Sequence, residues 1–124
     1  DSEKFNQMLI DMRLADFVRS QTLQNDVCFF DRGTPDVLAY MTCFDQPIKQ
    51  NFVDLCKAHM YDFIFLLPPW ELIFTQDTER FETFSQAKEI YMQLKETYSN
   101  LGYQVIEVPI GTVEKRVEFI LKSL

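Results

Sequence analysis

Apolar residues recur at three- and four-residue steps at Phe5, Met8, Leu9, Met12, Ala15 and Val18, while Asp11, Arg13, Asp16 and Arg19 fall largely elsewhere. That period predicts an amphipathic helix over residues 4–24. After Asn25-Asp26 the pattern changes to Val27-Cys28-Phe29-Phe30, four apolar residues without polar alternation. Such a run predicts a strand buried on both faces, as in parallel sheets covered by helices. Thr34 and Pro35 offer a cap and a first-turn residue for a helix that carries Val37, Leu38, Tyr40 and Met41 to about Phe44. Pro47 opens another amphipathic stretch through Phe52, Leu55 and Cys56.

A second buried strand is expected at Phe63–Leu67, stopped by Pro68-Pro69. Residues 70–78 read as an apolar loop. Phe81, Phe84, Ala87, Tyr91, Leu94 and Tyr98 then form a single stripe of about five helical turns, expected to face the core, with Gly102 as its stop. Tyr103 to Val108 reads as a third strand, Pro109-Ile110-Gly111 as a tight exit, and Thr112 as the cap of a last helix with Val113, Val117, Ile120 and Leu121. Strands alternating with helices and spaced by more than a dozen residues pair in parallel through right-handed crossovers. The expectation is therefore one α/β domain over residues 1–124, with ligands beyond the C-terminal strand ends. Three segments lie there: Asp31-Arg32-Gly33, Pro68 to Arg80, and Pro109 to Thr112.

The formal charge of −7 argues against nucleic acid and anionic membrane as partners, since both select Lys and Arg excess. It leaves nucleotides open, because a phosphate site needs only a few local cations and backbone donors. Cys28, Cys43 and Cys56 are odd in number and form no C-x-x-C pair, so neither a disulfide framework nor a zinc knuckle is indicated. Cys28, inside its apolar run, reads as a small buried hydrophobe, and a reducing, cytoplasmic compartment is expected. No apolar run reaches the ~20 residues of a membrane helix. The sequence starts at Asp-Ser-Glu-Lys without methionine, and an upstream segment is expected.

Asp31 can hold a hydrated Mg²⁺ or take a proton from a hydroxyl nucleophile, and Arg32 can grip a phosphate. The same pair also suits a plain strand end followed by a turn. Arg80, with Asp77 and Glu79, fits a lid over a phosphoryl group or ordinary helix-start chemistry. Trp70 beside the two prolines suits stacking or rim packing. His59, the only histidine, fits a helix end and no catalytic triad. The three glycines, Gly33, Gly102 and Gly111, form neither G-x-x-x-x-G-K-[ST] nor G-x-G-x-x-G.

At FFDRGTPDVLAY the sequence resembles a family of P-loop ATP-binding proteins. These are the AAA-type ATPase domains related to the nicotinamide-riboside-kinase part of bacterial NadR proteins. The resemblance continues through YDFIFLLPPWE, TQDTERFETF, LGYQVIEVP and TVEKRVEFIL, in family order. It implies a three-layer α/β/α nucleotide-kinase-like fold whose first strand and phosphate loop are missing from these 124 residues. It implies ATP or GTP with Mg²⁺ as cofactors and a small hydroxyl or nucleoside-like molecule as acceptor. Asp31 would be the catalytic and metal-facing carboxylate, Arg32 a phosphate or acceptor contact, and Arg80 the lid arginine. Pro109, Gly111 and Thr112 would lie near the base. A regulatory ATPase without an acceptor, or an inactive fragment, is the alternative. With a strand missing, the unpaired edges of Val27–Phe30 and Phe63–Leu67 are expected to invite self-association.

Overall fold

The computed structural model of the chain describes residues 1–72 and 83–124. They form two compact units, Asp1–Met60 and Tyr61–Leu124.

The first unit is helical. It contains α1 (Ser2–Ser20), α2 (Thr34–Cys43) and α3 (Gln50–Ala58), with α2 packed against both of the others. The Asp1 carboxylate caps α1 by accepting the Glu3 N–H at 3.0 Å. The helix stops short of residue 24. The Ser20 hydroxyl donates to the Phe17 carbonyl at 2.6 Å and Thr22 to the Arg19 carbonyl at 2.8 Å, local bonds that compete with the helical ladder.

The buried face of α1 also differs from the stripe read in the sequence. Phe5, Met8, Met12 and Val18 are exposed, and Ile10 is fully buried. Asn6 and Arg13, which share the Ile10 side, bond respectively to Gln46 at 2.6 Å and to the Gly33 carbonyl at 3.4 Å. These polar anchors turn that side inward.

Helix α2 is the core of this unit, with Val37, Leu38, Ala39 and Met41 all buried. Its cap falls one residue earlier than Thr34. Gly33, in extended backbone, is the N-cap, and its N–H donates to Asp36 Oδ1 at 3.1 Å. That carboxylate is itself buried and favours the positive end of the helix. Thr34 and Pro35 occupy the first turn. Helix α3 starts at Gln50, three residues after Pro47, and contributes Phe52 and Cys56 to the core. Burial raises the Cys56 thiol pKa, and a hydrogen bond with Thr34 offsets part of that rise.

The second unit is α/β. It contains β1 (Ile64–Leu66), α4 (Phe84–Asn100), β2 (Val105–Glu107) and α5 (Val113–Lys122). The strands pair in parallel, Ile64 with Val105, Phe65 with Ile106 and Leu66 with Glu107. The Val108 N–H extends the ladder to the Leu66 carbonyl at 2.8 Å. Thr83 and Gln86 cap α4 reciprocally: the Gln86 N–H donates to Thr83 Oγ1 at 3.1 Å and the Thr83 N–H to Gln86 Oε1 at 2.8 Å. Gly102, at φ 99°, ends the helix in a conformation that L side chains enter at a cost of about 1–2 kcal/mol.

Tyr98 is the one fully buried position of α4. It joins Ile64 and Leu66, with Tyr91, Leu94 and Tyr103 packed around them. The Tyr103 hydroxyl accepts the Tyr61 N–H at 2.9 Å. Lys95 pairs with Glu107 at 2.6 Å. The hydrogen bond from Lys95 and the Tyr91 phenol hold the Glu107 carboxyl below its usual range. Tyr91 places its hydroxyl out of solvent beside the Glu107 carboxylate. Burial, reinforced by the nearby Glu107 carboxylate, pushes its pKa to about 12.

Among the described residues the sheet has two strands, not three. Val27–Phe30 forms no strand. Backbone N–H and C=O groups need a neighbouring ladder to become a buried strand, and no described strand pairs with this run. Val27 and Phe29 are exposed, and so is Cys28, which corrects the reading of that thiol as buried. Glu71 and Leu72 are helical. The rest of the expected 70–78 loop, and Phe81 of the long stripe, lie mainly outside the described residues. No described helix is long and apolar enough to cross a membrane.

Candidate functional site

The turn Asp31-Arg32-Gly33 joins the irregular Val27–Phe30 segment to the start of α2. Arg32 has φ 73°, in the left-handed region that a non-glycine residue enters at an energetic cost and that clusters at functional sites. Two contacts hold the turn from outside: Arg13 donates to the Gly33 carbonyl, and Asp36 accepts the Gly33 N–H. The Arg32 guanidinium lies 5.7 Å from the centre of the Tyr40 ring and 3.4 Å from its hydroxyl. Burial works against its charge, but Tyr40 and the carboxylates of Asp36 and Asp31 outweigh burial and raise its pKa. Arg32 is a fixed cation.

Asp31 and Arg32 open onto a cleft of about 280 Å³ within the first unit. Its other wall comes from the C-terminal half of α1 and the residues after it: Arg13, Asp16, Arg19, Ser20 and Leu23. Cys28, Phe29 and Phe30 complete the lining, with Phe30 stacked on Phe17 at 6.4 Å between ring centres. Arg19 reaches Asp16 at 3.8 Å with both side chains largely exposed, a pairing worth little in water. Asp31 is exposed and, among the described residues, its side chain makes no hydrogen bond, so both of its oxygens can accept. The cleft therefore offers three guanidinium groups, two carboxylates and an aromatic wall, and is net positive on a chain of charge −7.

Asp31 and Arg32 both line this cleft. Arg80 lies outside the described residues. Pro109, Gly111 and Thr112 belong to the second unit, where Thr112 caps α5 by accepting the Lys115 N–H at 3.2 Å. A Cβ on Gly111 would touch only Lys115 Cβ, at 3.9 Å, so packing does not require glycine there. Sequence reading missed Arg13 and Arg19, which sit on an apparently solvated helix face. Their spacing of six residues with Asp16 midway is a signal, but an ambiguous one. His59 ends α3 with Nδ1 2.8 Å from the Leu55 carbonyl and its ring edge-on to Phe17, a structural role.

Among the described residues no three His, Cys, Asp or Glu side chains cluster into a metal cage. Mg²⁺ does not require one. It keeps several waters and binds through one or two carboxylates plus substrate phosphates, and the exposed Asp31 carboxylate suits that role.

The family model described as AAA domain matches residues 1–116 of the chain. Neither the curated proteins nor the solved structures give a match.

Proposed function

The chain belongs to the AAA domain family, and from that membership we propose that it is part of an ATP- or GTP-dependent phosphotransferase acting on a small hydroxyl compound. The observation that carries this reading is the exposed Asp31 carboxylate beside the Arg32 cation at the mouth of a cleft. The same reading relates the chain to nicotinamide-riboside-kinase-like P-loop proteins.

In the reaction the acceptor hydroxyl gives its proton to Asp31 as its oxygen attacks the γ-phosphorus. The bond to the bridging oxygen breaks, and the nucleoside diphosphate leaves. Arg32 meets the phosphoryl oxygens with N–H donors aimed where charge accumulates. Asp31 would be the residue here to face a Mg²⁺ ion, which would supply charge neutralisation of the transferring phosphates. The 124 residues hold no G-x-x-x-x-G-K-[ST] loop, so turnover needs one supplied by sequence outside them.

Cys28 provides a test, because it is exposed and lines the same cleft, whereas Cys56 is buried. In a polypeptide that includes the phosphate loop, a non-hydrolysable ATP analogue with Mg²⁺ and a panel of nucleosides should slow iodoacetamide alkylation of Cys28 several-fold. Cys43 serves as the internal control. An unchanged Cys28 rate with every combination would place substrate elsewhere.

A further inference from the structure

We infer that the compound bound beside Asp31 carries its own phosphomonoester, held by Arg13 and Arg19, so that the acceptor is of the nucleoside-monophosphate kind rather than a neutral nucleoside. The inference rests on the proposed phosphotransfer at Asp31 and names the substrate class for that site.

The argument begins with charge. Three of the five arginines in the sequence line this one cleft, although the whole chain is strongly acidic. A neutral acceptor would need hydrogen-bonding groups but no surplus of guanidinium. Arg32 is already engaged with Tyr40 and lies next to the reacting carboxylate. Arg13 and Arg19 stand on the opposite wall, on α1. Among the described residues the one side-chain polar contact of Arg13 is the long 3.4 Å bond to the Gly33 carbonyl, which leaves most of its five N–H donors unused there. The Arg19 guanidinium has, among the same residues, the loose 3.8 Å pairing with Asp16.

Guanidinium groups with unused donors match phosphate oxygens in geometry as well as charge. Phe29, exposed on the same cleft, adds a flat apolar surface for a ring. A cleft of about 280 Å³ is near the lower end of the range for small-molecule sites. An anionic end on Arg13 and Arg19, a ring on Phe29 and a hydroxyl at Asp31 use most of the lining, and the Asp16 carboxylate beside Arg19 offsets part of the positive charge.

The test is equilibrium binding by the full chain of the four common ribonucleosides, their 5′-monophosphates and inorganic phosphate, at low and high salt, in wild type, R13Q and R19Q. The Arg19 side chain is 76% exposed, so R19Q leaves folding unchanged even if R13Q disturbs the Gly33 turn. For at least one base the monophosphate should bind about tenfold or more tightly than its nucleoside, one guanidinium–phosphate interaction being worth that much. R19Q should remove most of this advantage, and added salt should reduce it. Equal affinity of nucleoside and monophosphate, or an advantage that survives in R19Q, would overturn the inference. So would no binding of any monophosphate.

The outcome is separable from that of the phosphotransferase reading. A nucleoside that is phosphorylated without preference for its monophosphate leaves that reading standing and removes this one. Arginine-dependent binding of a monophosphate that is never phosphorylated removes the phosphotransferase reading and the acceptor assignment with it, and leaves the phosphate contact to Arg13 and Arg19 standing.

Discussion

Asp31→Asn lowers phosphoryl transfer about 10²- to 10⁴-fold, the usual contribution of a positioned general base, and leaves the fold intact. The two halves of this expectation come from the same observations. The Asp31 side chain is exposed and makes no hydrogen bond among the described residues, and substitutions at such positions change stability by roughly 0.5 kcal/mol or less. Asparagine keeps the shape of the carboxylate but can neither take the acceptor proton nor supply its negative charge. Steady-state kinetics beside a urea melt separate the effects. A kcat loss with an unmoved melt supports the assignment, and full turnover by D31N removes Asp31 from the chemistry.

The largest structural effect is expected at Ile10→Ala, at a cost of about 2–5 kcal/mol. Ile10 is fully buried and is the one buried residue of α1, the helix that packs on α2 and carries Arg13 and Arg19. Removing its side-chain carbons leaves a cavity in a small helical unit whose α2 face is closely packed. Typical domain stability is roughly 5–15 kcal/mol, so the loss is a large fraction of the whole. Met12→Ala, two residues away and 58% exposed, should change stability by about 0.5 kcal/mol or less. Urea midpoints for the two variants test which side of α1 faces inward, and near-equal midpoints would contradict the buried face described above.

This pair also shows where sequence reading stopped. Apolar residues occur around most of α1, so Phe5, Met8 and Met12 gave as good a stripe as the Ile10 side. The choice between them is made by Asn6 on Gln46 and Arg13 on Gly33, contacts between residues far apart in sequence. Helices α2, α4 and α5 were legible because their ends carry local chemistry. Pro35 occupies a first turn, Thr112 is a cap and Gly102 is a left-handed stop, whereas the Thr83 cap that starts α4 went unread. Capping is decided within four residues, although the Asp36 bond to Gly33 moved one boundary by a position.

The two parallel strands were legible for a similar reason, because Pro68-Pro69 and Pro109 bracket them and their apolar runs are short. Val27–Phe30 has the same composition but no described strand beside it. Strand formation depends on a partner that the run itself cannot specify. The site divided along the same line. Asp31 and Arg32 were readable as neighbours in a turn, whereas Arg13 and Arg19 joined them only through the packing of α1 on α2.

The most direct measurement follows the γ-phosphate itself. ATP labelled at that position is incubated with Mg²⁺, a panel of hydroxyl acceptors and a polypeptide containing this chain and its phosphate loop. The account predicts that label appears on an acceptor and that D31N lowers this product about a hundredfold or more. Label appearing only as inorganic phosphate, or on an acceptor to the same extent in D31N, would contradict it.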